Sequence, residues 1–502
     1  MPTVWIRHNS QGYHHNAAQD ESILDTDAAV VSFGFAAQWI CAMATLQADE
    51  AEQLLPMAVE SANRTLAAEA GKKMRAGTDL QARMQFLHNR EVNKIRNLAL
   101  WGDAAKMEVA AAQVTFPDSI GSVLDAQETP WYDYAEKFVF GRLFQGLPHD
   151  LLRIPIESRV MGFGGILYYP FAEVFLYMDG KRSLQDAIRL AEWDKGRIFP
   201  EAEIKQWLHR CILFAQYGYL TMVAKAPLTG EQLETALKDL GVKQGETLLV
   251  HNGISNMGYL EGGADAVISA LKNVLGEEGT FMAPVFTDPY LMFDDTVNKG
   301  YKFRPYDTRK DGALRDKTVR TGLLGKAMLK KADSFRSGHG THEWVAMGKD
   351  AEAAVSSHGF LDAPTGETSP LKFALEKNGS VVFLGCSPGF NTFIHHAEIM
   401  AGIAYAKPVV MQYIDEAGKT VTTMMDQHLY GCRNFYGGIN DAFYEKAKAR
   451  GLHIDTRKFG LVTLYRMELR ELYDITMELF QEDPFATLCK KPDCPFCKKF
   501  IK

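Results

Sequence analysis

Cysteine is scarce and scattered in this chain. There are seven in 502 residues, with Cys41, Cys211, Cys386 and Cys432 far apart, a usage that argues against a disulfide frame and for reduced thiols. No apolar run is long enough to span a bilayer, and the N-terminal M-P-T-V-W-I-R-H lacks the charged-then-apolar layout of a signal segment. The expected location is therefore the cytoplasm, with no membrane partner. Repeats and low-complexity stretches are missing as well. So is a strong charge: the formal net charge of -7 provides no broad basic surface. Nucleic acid is not an expected partner, and a mildly acidic surface suits a cationic small molecule.

What is present is a globular composition, 46% hydrophobic and 23% charged, in a chain longer than one core serves, which implies two or three domains. The stretch from about Asp27 to Gly102 is rich in Ala, Leu, Glu, Gln and Met, and its apolar spacing predicts two or three amphipathic helices within a helical region over 1–164. Residues 165–226 read as a winged-helix-like unit, with Ser183 an N-cap and Gly218 a helix stop. Its second helix carries only Lys205, His209 and Arg210 as basic residues, so packing or protein contact fits it better than DNA. From the A-K-A-P-L-T-G break at 224–230 onward, strands and helices alternate: G-E-T-L-L-V-H, G-A-D-A-V-I-S-A-L-K-N-V-L-G, G-T-F-M-A-P-V-F-T and G-S-V-V-F-L-G-C. That alternation predicts an α/β domain over 227–485 with a largely parallel sheet, ligands meeting the carboxyl ends of its strands. A hairpin is expected at the E-A-G-K turn at 416–419.

Three polar motifs lie between Arg336 and Glu398. R-S-G-H-G-T-H gathers Arg336, Ser337, His339, Thr341 and His342, a guanidinium with hydroxyl donors that suits a phosphorylated cofactor. His358 stands before a loop bearing Asp362, then Ser369 and Pro370 open another helix. In F-I-H-H-A-E, His395 and Glu398 are three apart on one helix face, a spacing that lets a carboxylate orient an imidazole or hold an ammonium group. The glycine-bearing loop H-N-G-I-S-N-M-G-Y-L-E-G-G, with Gly258 at its middle, follows a strand and precedes a helix, as an anion-binding turn does, though it matches no standard phosphate motif.

Taken in order, R-S-x-H-x-T-H, the H-x-x-x-D and G-x-x-S-P-L stretch at 358–371, the L-G strand end at 384–385 and H-x-A-E at 395–398 resemble the aminoglycoside 3-N-acetyltransferase family over residues 228 to about 480. The resemblance implies a three-layer α/β/α acetyltransferase fold, distinct from the GNAT fold, and direct transfer from acetyl-CoA to an amine of an aminocyclitol. It places His358 as general base with Glu398 as its carboxylate. Asp362, His395, Asp294 and Asp295 would lie on the acceptor side, and Gly258, Arg336, Ser337, His339 and Thr341 on the cofactor side. Departures accompany it: His251-Asn252-Gly253 replaces a histidine followed by two hydroxyl residues, and Gly340 and Glu343 stand where proline and serine are favoured. These changes keep open another amine acceptor, or a non-catalytic protein that has lost its cofactor.

G-Y-H-H-N-A-A-Q-D-E-S-I-L-D near the N-terminus is similar to the last zinc-ligand segment of co-catalytic zinc aminopeptidases, with His14 or His15 in the ligand place, which implies a peptidase remnant kept as scaffold. In the tail at 486–502, Cys489, Cys494 and Cys497 have C-x4-C-x2-C spacing. With Cys432 or a histidine they would complete a structural zinc site; a reduced tail is the equal alternative. Oligomeric state stays open.

Overall fold

The computed structural model describes residues 45, 47–117, 120–121, 124–125, 128–144, 153–155, 171–286, 306–307, 319, 321–403, 406–414, 417, 419–428, 441–488 and 494. The chain forms two compact units, Met1–Arg153 with Gly162–Val223 and Ile154–Met161 with Ala224–Lys502.

In the first unit, helices α1 (Leu55–Glu69), α2 (Leu80–Arg96) and α3 (Ala104–Ala111) pack through Leu66, Met84, Leu87, Ile95 and Met107. Strands β1 (Phe138–Arg142), β2 (Asp179–Ser183) and β3 (Leu220–Ala224) form a three-stranded sheet in the order β2-β1-β3, and α4 (Leu184–Lys195) and α5 (Glu201–Gln216) run between its second and third strands. The central strand thus comes from F-V-F-G-R, upstream of the expected 165–226 unit and inside a region read as helical. A three-stranded sheet needs that partner to satisfy the inner edges of β2 and β3. Ser183 caps α4 by accepting the Asp186 amide at 3.0 Å, and Gly218, at φ +72, ends α5 as the Tyr219 amide returns to Phe214.

The second unit opens with α6 (Gly230–Asp239), capped by Thr229. It then alternates β4 (Thr247–Asn252), α7 (Gly263–Leu275), β5 (Thr280–Pro284), α8 (Leu323–Met328), β6 (Ser334–Arg336), β7 (Trp344–Gly348), α9 (Ala351–Ser356), α10 (Pro370–Glu376), β8 (Ser380–Leu384) and α11 (Thr392–Met400). A hairpin of β9 (Ala406–Ile414) and β10 (Thr420–His428) pairs antiparallel around the expected turn. The unit ends with α12 (Asp441–Ala449), β11 (Asp455–Phe459), β12 (Val462–Glu468) and α13 (Leu469–Glu482).

Seven strands make one sheet in the order β11-β12-β8-β4-β5-β7-β6. Only its centre, β8-β4-β5, is parallel; the flanking pairs are antiparallel, which corrects the expectation of a largely parallel sheet. Strand residues alternate between two cores. Leu248, Val250, Phe281, Ala283, Val382 and Leu384 face α6, α7 and α8, whereas Leu249, Met282, Trp344, Val381 and Phe383 face α9 to α13. Helices on both faces of one sheet give the expected three layers. Among the described residues no helix is long and apolar enough to cross a membrane.

Candidate active site

The parallel centre of the sheet ends at Asn252 and Leu384, and the chain crosses itself there. The Gly253 amide donates to the Leu384 carbonyl at 2.8 Å. A Cβ on Gly253 would meet the Gly385 carbonyl oxygen at 2.6 Å, and one on Gly385, at φ +79, would meet that of Gly253 at 2.5 Å; only glycines admit this approach. Asn252, in place of a hydroxyl residue, fastens β4 to the start of α8: its amide group reaches the Thr321 carbonyl and the Leu324 amide, each at 3.4 Å.

At the same strand ends, α11 begins. Asn391 caps it by accepting the Phe393 amide, and is itself held by Tyr444 of α12. The Thr392 amide points at Nε2 of His251 at 3.4 Å. His251, the last inward residue of an apolar strand, stacks on Phe383 with centroids 5.3 Å apart. Burial, and secondarily the facing His395, push its pKa down to about 3, so it is neutral at physiological pH.

His395 lies one turn into α11. Its Nδ1 is 2.7 Å from Glu398 Oε2, with the histidine side chain 24% exposed and the carboxylate buried. The spacing of three residues places both on one helix face, as the sequence predicts. Because the carboxylate can only accept, Nδ1 carries the proton and Nε2 is the lone-pair nitrogen. An imidazole so oriented, partly open to its surroundings at the carboxyl ends of parallel strands, has the equipment of a general base.

His358 differs. Its ring is 0% exposed, stacks on His339 at 4.6 Å, and sets Nδ1 at 3.3 Å from the Ser337 hydroxyl. Burial pushes its pKa down to about 4, against the charge of Asp362 and the carbonyls of Ala363 and Pro364. Glu398, expected beside it, is on His395 instead, since a helix turn brings those two together; the loop after His358 reaches α11 through Thr365, whose hydroxyl donates to the His395 carbonyl at 3.2 Å and whose carbonyl lies 2.7 Å from His396 Nδ1.

The R-S-G-H-G-T-H segment is interior. Ser337 accepts the Trp344 amide. His339 Nδ1 accepts the amides of Thr341 and His342, and its Nε2 meets the Asp362 carbonyl at 3.0 Å. The Thr341 hydroxyl bonds His342. Arg336 donates through Nη2 to Oε2 of buried Glu343 at 3.0 Å, and its Nε lies 3.0 Å from Oε1 of the same carboxylate. These groups, expected to meet cofactor, have protein partners within their own segment, at Glu343 and Trp344, and at the Asp362 carbonyl. Asp362 closes its own loop, taking the Gly359 amide and the Thr368 hydroxyl on Oδ2, both at 2.7 Å, and the hydroxyl bond first among several causes holds its carboxyl below the usual range. Gly258, at φ +106, sits in a loop pinned by the Leu461 amide on the Met257 carbonyl.

Asp294, Asp295, His14, His15, Cys489 and Cys497 fall outside the described residues. Cys494 is buried, and among the described residues no three metal-binding side chains converge, so the zinc expectation gains no support. Sequence reasoning passed over His251 as a site residue, although a histidine ending an apolar central strand signals it. It also passed over Thr487, whose hydroxyl reaches Glu398 at 2.8 Å and which no local pattern marks.

Residues 249–481 match the family described as Aminoglycoside 3-N-acetyltransferase. Aminoglycoside N(3)-acetyltransferase IX of Micromonospora chalcea is 29% identical over 194 residues, which cover 37% of this chain and 69% of that protein. Aminoglycoside N(3)-acetyltransferase VII of Streptomyces paromomycinus is 31% identical over 194 residues, 37% of this chain and 67% of the relative. Among solved structures, the apoenzyme of aminoglycoside acetyltransferase AAC(3)-IVa is similar at 24% identity and a TM-score of 0.45, covering 54% of this chain and 96% of that one.

Proposed function

This chain belongs to the aminoglycoside 3-N-acetyltransferase family, and from that premise we propose that it carries an acetyl group from acetyl-CoA to an amine of an aminocyclitol, with His395 as general base and Glu398 orienting it. The 2.7 Å contact between His395 Nδ1 and Glu398 carries the reading. His395 replaces His358 in the base role because the ring at 358 is enclosed and bonded to a neutral hydroxyl, whereas the ring at 395 combines a carboxylate with access.

Acetyl-CoA, when bound, supplies the activated thioester. The donor set fits it: an oriented imidazole stands at the carboxyl ends of β4 and β8, the edge where open α/β sheets take ligands. Only the free-base form of an amine attacks, so the chain must remove a proton. Nε2 of His395 takes that proton as the C–N bond forms, and returns it to the departing sulfur as the C–S bond breaks. Glu398 keeps Nδ1 protonated and stabilises the imidazolium while it lasts. Neutral His251 lies against the same helix start without adding a competing positive charge. The departures near Asn252 and Glu343 shift interior contacts and leave the dyad whole, which opposes the non-catalytic alternative. Modification of an aminoglycoside in this way would confer antibiotic resistance, and a cytoplasmic site of action belongs to the same reading.

The test is release of free CoA from acetyl-CoA with a panel of aminoglycosides, comparing wild type with His395→Ala. The variant is expected to lose about 10²- to 10⁴-fold in turnover, the range for a removed acid/base group. Undiminished turnover in a folded His395→Ala protein rules this base out.

A further inference from the structure

Each oxygen of Glu398 has its own partner. Oε2 faces His395 Nδ1, and Oε1 accepts the hydroxyl of Thr487 at 2.8 Å; carboxylate and threonine are 2% and 6% exposed. Thr487 does not belong to α11. It sits beyond the end of α13 in a turn built on Asp483, whose Oδ1 accepts the Phe485 amide at 3.0 Å and whose carbonyl accepts the Ala486 amide at 2.9 Å. The Leu488 amide then bonds the Phe485 carbonyl at 3.0 Å. A segment almost ninety residues downstream is thereby shaped to offer one hydroxyl to the carboxylate that orients the reacting ring.

We infer that Thr487 is a positioning residue for the transfer, the outer member of a Thr487–Glu398–His395 chain through which the C-terminal segment fixes the imidazole. This rests on His395 being the base. Two physical consequences follow from the hydroxyl. A carboxylate held at one oxygen still swings about its last torsion, and a second bond at the other oxygen fixes its plane and so the direction of the ring. A donor to the carboxylate also draws off part of the charge that faces Nδ1. Outer partners of this kind decide whether a reacting group is held to within a fraction of an ångström.

The comparison is Thr487→Val, which keeps the shape and removes the donor, against Thr487→Ser, which keeps the donor. Full-length protein is labelled at histidine nitrogens, and the His395 titration is followed by NMR without any ligand. In parallel, kcat and KM are measured over pH with acetyl-CoA and gentamicin. His251 of β4 also faces the ring, but with a pKa near 3 it stays neutral over the range read. In Thr487→Val the carboxylate regains charge, so the His395 midpoint is expected to rise by about half a pH unit. The fall expected in kcat is about tenfold, the lower end for a lost outer partner, with KM for acetyl-CoA unchanged; Thr487→Ser restores both. If Thr487→Val does not fold, Thr487→Ala is read the same way. A folded variant without the hydroxyl whose His395 titrates as in wild type overturns the chain of bonds, whatever the turnover. Should His395→Ala keep full activity while the midpoint shift is present, the base assignment fails and the hydrogen-bond chain stands.

Discussion

His358 and His395 are both on the sheet face that carries α9 to α13, and they have been given opposite surroundings. At 358 the ring meets another imidazole and a serine hydroxyl, with no surface left open. At 395 it meets a buried carboxylate and keeps a quarter of its surface. The first environment penalises the charged form by burial, and the charge of Asp362 with the carbonyls of Ala363 and Pro364 offsets that only in part, so the ring is neutral at physiological pH. The second sets a buried carboxylate beside a ring that stays partly open, the surroundings that the proposed base role requires. An imidazole's chemistry is thus decided by its partner and its access more than by the motif around it.

The sharpest way to break that contrast is His358→Ala. If the enclosed ring is a joint, its loss removes the stack on His339 and leaves Ser337 short of a partner, for an expected cost of about 2–4 kcal/mol in unfolding free energy. Turnover per folded molecule stays within about threefold of wild type, far from the loss expected at 395. Denaturant unfolding and a CoA-release assay, run on the same preparation, provide the two numbers. A stable His358→Ala protein with no turnover would return the base role to position 358.

Protonation tests the same contrast from outside. His251 and His358 have pKa values of about 3 and 4 in the fold, below the value near 6.5 of an unfolded chain, and His396 is shifted the same way by burial. Between these limits the unfolded chain binds protons that the folded one refuses. Stability is therefore complete above about pH 6.5 and falls as the pH drops toward 4. From pH 6.5 to 4.5 each of the first two rings is expected to remove about 2–3 kcal/mol. Unfolding measured at both pH values, in wild type and in His358→Ala, should show a shallower decline in the variant; equal slopes would mean that water reaches this ring.

Much of the architecture was legible. Runs such as T-L-L-V-H and S-V-V-F-L are apolar on both faces and bounded by glycine or polar turns, a pattern that only a covered sheet accepts, and the Ser183 cap was visible upstream of them. Strand direction was not, because E-W-V-A-M-G reads the same whichever way it runs; pairing with Pro284 through Thr280 makes it antiparallel. The dyad at 395 and 398 was legible from helical spacing. The enclosure of Ser337, His339 and Thr341 was hidden, since polar residues look like surface until their hydrogen bonds to one another are seen. Ser369 taught the same at small scale: it stands at the N-cap of α10, yet its hydroxyl turns back to the Gly366 carbonyl.

The smallest effect concerns Asp362, which the sequence offers to an ammonium group of the acceptor. In the structure its Oδ2 clasps the loop, taking the Gly359 amide and the Thr368 hydroxyl, and its carbonyl receives His339 Nε2. A side chain so occupied holds its own loop. Asp362→Asn keeps the shape and exchanges a charged acceptor for a neutral one, at an expected cost of about 1 kcal/mol, with the acceptor KM unchanged. A tenfold rise in that KM without loss of stability would move Asp362 across the divide, to the side of the site that meets substrate.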